Sequence, residues 1–229
     1  MSEAIPSVWV REAKAPGLSR DRIVAAALEL LDAEGLGALS MRSLGKRLEA
    51  GATSMYRHVA NKDELIELVV DEVYGEVAVP GAGEPWREGV AAAAGSLRAM
   101  ALRHPWVAGV LGQVGLAYLG PNLAAVAERM QALFLAAGLR DLEAQQAMAA
   151  VTSYVVGTVT SETAWLALVA RSGRTEQELV ADLQASQAHL NETPAAREYV
   201  DPAAFREDGF AFGLALILDG LEARLRGAR

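Results

Sequence analysis

The 229-residue chain contains no cysteine. That absence removes disulfide frameworks, thiolate zinc sites and thiol nucleophiles from consideration. Histidine is almost as scarce, with His58, His104 and His189 as its three positions. There is no His-Glu-x-x-His, no pair of Glu-x-x-His motifs and no nucleophile–base set, so a helical enzyme is the weaker reading and no metal or cofactor is expected. Strand signals are sparse, because β-branched residues rarely alternate with polar ones. Long apolar runs are missing too. The uncharged stretches 104–127 and 144–161 are broken by Pro105, Gln113, Pro121 and Asn122, and by Gln145, Gln146 and several Ser and Thr. Neither approaches the ~20 predominantly apolar residues of a membrane span. The first 17 residues, which include Glu3, Arg11, Glu12 and Lys14, lack the apolar core of a signal peptide, and a cytoplasmic location is expected.

What is present is enough to bury a large core: 52% hydrophobic and 22% charged residues. The length allows one large domain, or a small one joined to a larger one. A net charge of −8 ordinarily argues against a nucleic-acid partner. The charge is uneven, however. Residues 1–62 hold nine Lys/Arg against seven Asp/Glu, a net of +2, while 63–229 hold twelve against twenty-two, a net of −10. All three lysines (Lys14, Lys46, Lys62) lie in the first segment. A slightly basic head on an acidic body is the asymmetry of a head that meets a polyanion.

Alanine and leucine dominate, and the chain reads as all-α. Residues 1–17, with Pro6, Pro16 and Gly17, form a loose arm. A first helix follows Ser19 as N-cap, carries Ile23, Ala27, Leu30 and Leu31 on one face, and ends at Gly35 and Gly37. Ser40 caps a second with Leu44 and Leu48 inward. A tight connection at Glu49-Ala50-Gly51 leads to a third over Ala52–His58. Asn61 opens a fourth, with Glu64 completing a capping box and a stripe of Leu65, Leu68, Val69 and Val73. Two prolines and two glycines in residues 78–85 mark a linker and a domain boundary, with the fourth helix a candidate to run across. Further helices are expected at 86–103, 105–119, 122–137, 141–171, 176–190 and 203–226. Gly109, Gly112 and Gly115 have no preceding strand, so they read as helix-packing positions and not as a phosphate loop.

Residues 40–58 have the form of a helix-turn-helix. Two short helices around a glycine-containing turn present the second to a major groove, whose ~12 Å width admits one helix. Small residues at its front (Gly51, Ala52, Thr53, Ser54) permit close approach to base edges, and Tyr56, Arg57, His58 and Lys62 face the phosphates. Ile23–Gly35, Leu39–Leu44 and Met55-Tyr-Arg-His-Val-Ala-Asn-Lys-Asp-Glu-Leu65 together resemble the N-terminal domain of the tetracycline-repressor (TetR) family of bacterial transcriptional regulators. The resemblance implies base contacts from Arg42, Ala52, Thr53 and Ser54, and backbone contacts from Tyr56, His58 and Lys62.

Gly209–Leu225 resembles the last helix of the same family's tetracycline-repressor-like subgroup. The resemblance implies a larger C-terminal ligand-binding and dimerisation domain over 86–229, beside the 18–77 head. In that family this helix and the one matching 141–171 form a four-helix bundle across a two-fold. The stripe Phe210, Gly213, Leu214, Ile217 and Leu221 suits close helix packing, within one chain or between two. A homodimer is favoured because one head reads only a half-site. A magnesium–tetracycline site is not expected: Ala78, Ala93 and Leu111 stand where the namesake carries a fourth-helix histidine, an asparagine and the metal-binding histidine. Leu97, Met100, His104, Leu111, Val114, Met130, Phe134, Met148 and Ser153 are the candidates for an apolar, adaptable pocket, and each also fits an ordinary core. The expected function is a homodimeric repressor of a palindromic double-stranded DNA operator, released by a small apolar effector. The alternative is a regulator without ligand sensing that acts through a protein partner.

Overall fold

Hydroxyl and amide caps at Ser19, Ser40 and Asn61 start three of the head's four helices. The computed structural model describes residues 18–81, 83–114, 120–190 and 201–227, and every regular element among them is a helix. The arm 1–17, the 115–119 end of the expected sixth helix, and the side chains of Ala52 and Val114 lie outside the described residues. The chain divides into two compact units, one up to Val69 and one from Val70 onward.

The first unit holds α1 (Arg20–Glu34), α2 (Met41–Arg47), α3 (Ala52–Tyr56) and the start of α4 (Lys62–Tyr74). Ser19 Oγ accepts the Arg22 N–H at 3.2 Å, and Gly35, at φ +76°, closes α1 with its N–H on Leu31 O. Ser40 and Ser43 cap α2 reciprocally, each backbone N–H donating to the other's hydroxyl at 3.0 Å. Asn61 Oδ1 accepts the Glu64 N–H at 2.8 Å. The Glu64 carboxylate takes the N–H of Ala60, so the expected box closes one residue upstream. Ile23, Ala27, Leu31, Leu39, Leu44, Met55, Val59, Leu65 and Val69 are at most 1% exposed and form the core of this unit. Burial of each of the larger ones stabilises the unit by about 1.5–3 kcal/mol before entropy is counted.

The second unit contains the end of α4, α5 (Trp86–Arg103), α6 (Trp106–Val114), α7 (Pro121–Ala136), α8 (Asp141–Ser172), α9 (Glu176–Leu190) and α10 (Pro202–Gly227). Helix α8 is its spine and packs against α5, α6, α7 and α10. Its buried stripe, Ala144, Ala147, Val151, Val155 and Val159, recurs at steps of three and four, and its small residues let the neighbours approach closely. A Cβ at Gly213 would collide with the Tyr154 hydroxyl, so α10 passes α8 where only glycine fits.

The compact units divide inside α4, upstream of the boundary expected at 78–85. Val73 and Tyr74 are buried, and the chain at Val77–Val79 is docked, with the Ala78 N–H on Ser96 Oγ at 2.8 Å. Ala78 therefore lies beyond the end of α4 and is not a fourth-helix position. Gly109 faces open space, so it is no packing contact.

Candidate functional site

Helix α3 is five residues long and is held by one anchor. Met55 is fully buried, while Thr53, Ser54 and Arg57 point outward and Tyr56 is 53% exposed. Gly51 is the extended N-cap, and its carbonyl accepts the N–H groups of Ser54 and Met55 at 2.9 and 3.2 Å. In the turn before it the left-handed conformation falls on Glu49, at φ +51°, and not on the glycine. The carbonyl of Ala50 also passes 3.0 Å from where a Cβ on Gly45 would sit, and the Ala50 N–H donates to Gly45 O at 2.9 Å. A side chain at Gly45 would push the two helices of the motif apart.

The cations of the head divide into two groups. Arg47 is bound to Glu29 at 3.0 Å, which ties α2 to α1. Among the described residues no carboxylate pairs with Arg42, Arg57 or Lys62; Arg42 and Arg57 are exposed, and Lys62 and His58 are half-buried at the start of α4 and the turn before it. Cations without a carboxylate partner among the described residues, together with hydroxyls, thus surround a short helix with a small-residue front, the chemistry that phosphate positioning and base-edge reading require.

In the second unit an open-sided cleft of about 800 Å³ lies between the second half of α8, the first half of α9 and the start of α10. Its walls include Tyr154, Trp165, Phe205 and Phe210, and its floor carries Glu162, Glu176 and Arg206. Glu162 continues the inner stripe of α8, three residues after Val159, and receives the Arg98 guanidinium in a two-point contact at 2.9 Å each. Both side chains are buried, and pairing is what permits that burial. Desolvation is the largest single effect on Arg98 and lowers its pKa, but the hydrogen bonds that Arg98 donates to Glu162 and Glu207 together outweigh it and hold the pKa above its ordinary value.

Residues 79–225 match the family model "Tetracyclin repressor-like, C-terminal domain", and residues 23–69 match "Bacterial regulatory proteins, tetR family". The chain belongs to the TetR family. This TetR-family chain is 44% identical over 170 residues to an HTH-type transcriptional regulator of Saccharopolyspora erythraea, covering 72% of this chain and 71% of that one. It is 36% identical over 217 residues to the HTH-type transcriptional repressor DrrR1 of Streptomyces coeruleorubidus, covering 90% and 78%. Among solved structures it resembles ActR of Streptomyces coelicolor, with a TM-score of 0.74, 34% identity and coverage of 95% and 100% for the apo form. ActR has also been solved in complex with actinorhodin. No helix among the described residues is long and apolar enough to cross a membrane.

Within this TetR-family body the expected pocket residues are dispersed. None of the eight whose side chains are described lines the cleft. Leu97, Met100, Met130 and Phe134 are buried in the helical core, Leu111 and Met148 are half-buried, and Ser153 is exposed. His104 is occupied by Glu76, at 3.0 Å from Nε2 to the carboxylate, which Arg103 also holds. Partial desolvation raises the Glu76 pKa, but the hydrogen bonds from Arg103 and His104 outweigh it and hold the carboxyl below its ordinary value.

The expected dimerisation stripe divides between packing within the chain and partial exposure. Phe210 and Leu214 are buried within their own chain, Gly213 meets Tyr154, and Ile217 and Leu221 are half-buried. Phe212 and Leu216, 67% and 57% exposed, form the outward apolar face of α10. The physical reason is that a helix apolar on two sides does not reveal, from its own residues, which side faces its own core.

Proposed function

We propose that the protein is a homodimeric transcriptional repressor that docks α3 of each protomer in successive major grooves of a palindromic operator and leaves it when a small molecule binds in the body. The carrying observation is the set around α3: Thr53, Ser54, Tyr56 and Arg57 outward, Arg42 and Lys62 without a carboxylate partner among the described residues, and Met55 as the buried anchor. Arg42, Ala52, Thr53 and Ser54 read bases; Tyr56, Arg57, His58 and Lys62 fix the register on phosphates. The net −10 of residues 63–229 keeps the body off the duplex, so contact is confined to the head.

Phe212 and Leu216 on α10, with the outward face of α8, form the surface that pairs two protomers. Relatives support repression and a ligand: DrrR1 is named a repressor, and ActR has been solved with actinorhodin. Release needs only that the ligand favour the DNA-incompetent state; a 100-fold preference corresponds to about 2.7 kcal/mol per site. Helix α4 contributes to both compact units and is the element through which the body acts on the head.

The test is selection of operator sequences from random duplex DNA, followed by anisotropy titration. A two-fold-symmetric consensus bound by wild type, with relaxed base preference in Arg42→Ala, supports the reading. No enrichment over input DNA overturns it.

A further inference from the structure

The cleft between α8, α9 and α10 has the chemistry of a ligand site, and none of the described residues of the sequence-predicted pocket lies in it. Its volume of about 800 Å³ lies within the range of small-molecule pockets, which pair apolar walls with a few placed polar groups. The walls are aromatic. Trp165 and Phe205 line the opening, and Tyr154 stacks on Phe210 at 5.7 Å between ring centroids. Tyr154 is fixed by its hydroxyl, which donates to the Phe210 carbonyl at 2.9 Å, and Trp165 by its indole N–H on Glu176. Rings fixed in this way receive a flat guest without first losing rotamer freedom.

The charge of the floor is set by a network. Glu162 accepts from Arg98 and Arg206, Arg206 also reaches Glu176, and Arg98 reaches Glu207. Among the described residues, three carboxylates thus face two guanidinium groups, leaving one negative charge in excess. Among the described residues, both hydrogen bonds to Glu176 fall on Oε1, which leaves Oε2 as an anionic acceptor at the cleft. The surrounding body carries a net −10 over residues 63–229, which concentrates cations and repels anions. A cation over the Trp165 face gains further from the ring quadrupole, most strongly where water is displaced.

We infer that this cleft binds flat aromatic molecules bearing a positive charge, with the ring system against Trp165 and Phe205 and the cationic group toward Glu176. The inference rests on the reading of the body as ligand-binding and adds to it the place and the chemical class.

The experiment uses the full chain without DNA and two three-ring probes of opposite charge, the cation proflavine and the anion anthracene-9-carboxylate, followed by fluorescence titration. Saturable proflavine binding is expected, at least tenfold tighter than that of the anion. Phe205→Ala removes a side chain 67% exposed and leaves the fold intact, and it should weaken proflavine at least tenfold. Leu135→Ala, an exposed apolar position on α7 outside the cleft and outside the pairing surface, should not. Equal or tighter binding of the anion overturns the charge class. Unchanged proflavine binding in Phe205→Ala overturns the site, as does absence of saturable binding by wild type. A Phe205→Ala variant that loses its dimer but not its dye shows the cleft to be a face between copies, and overturns it too. Operator binding measured separately keeps the two readings apart: intact DNA binding without dye binding defeats this inference alone.

Discussion

Asp71, on the last turn of α4, serves as the N-cap of α7 through Asn122. One carboxylate oxygen accepts the N–H groups of Asn122 and Leu123 at 2.9 Å each, and Asn122 Nδ2 returns a hydrogen bond to the Asp71 carbonyl at 3.0 Å. Among the described residues no side chain of α7's own flank performs this task, since its N-cap is Gly120. A Cβ on Gly120 would collide with the Asp71 carboxylate. Asp71→Ala should therefore cost about 1 kcal/mol, the value of a helix cap. Gly120→Ala should cost more, and the double variant less than the sum, because the clash disappears with the carboxylate. Denaturant unfolding of the four proteins measures this coupling; strict additivity would contradict it.

The turn of the helix-turn-helix stores a local cost at Glu49. A non-glycine residue in the left-handed region costs roughly 1–2 kcal/mol, and glycine gives back part of that through its larger unfolded-state entropy. Glu49→Gly should stabilise the motif by about 0.5–1 kcal/mol, visible as slower hydrogen exchange at the Met55 amide bonded to Gly51 O. Gly51→Ala should be near neutral for folding, since φ is −67° and nothing lies within 4 Å of the new Cβ. The reverse order would place the strained residue at 51.

Burial pushes the Tyr74 hydroxyl up from 10.0 to about 12. Its neutral form is the one the fold accommodates. The corresponding stability is fully present below pH 10 and is lost as pH rises through about 12, an effect of about 3 kcal/mol at most. Tyr74→Phe keeps the ring and removes the titration, so its unfolding free energy should fall less steeply across that window. Parallel pH profiles for wild type and variant would contradict the assignment.

The outward face of α10 separates pairing from folding. Leu216→Glu, at a position 57% exposed, should give a folded monomer by sedimentation with weakened operator binding. Leu214→Glu places a charge in the core and should lower stability instead. A dimeric Leu216→Glu variant would move the interface elsewhere.

Much of the head is legible in the sequence because its signals are local. Ser19, Ser40 and Asn61 announce helix starts through hydrogen bonds within three residues, and the Met55–Leu65 run carries motif-level information. The backbone of the turn is less legible. Its glycine is the residue that composition singles out, whereas the close approach at Gly45 accompanies a left-handed Glu49. In the body the decisive pairings are distant in sequence. Arg98 meets Glu162, Asp71 meets Asn122 and Tyr154 meets Gly213, and no periodicity within one helix reports such pairs. Leu97, Met100 and Phe134 have the composition of a pocket and the burial of a core, and side-chain type alone does not separate the two. Glu162 does leave a trace, as a charge in phase with an apolar stripe.

The most direct test of the account is the salt dependence of operator binding for wild type and Lys62→Ala. Lys62 has no carboxylate partner among the described residues and stands at the start of α4 beside the reading helix. The predicted result is a log–log slope flatter by roughly one unit, as for a single phosphate left without its cation, with affinity reduced alike for operator and unrelated DNA. An unchanged slope and unchanged affinity in both Lys62→Ala and Arg42→Ala at matched salt would contradict the assignment of the head as the DNA-binding surface.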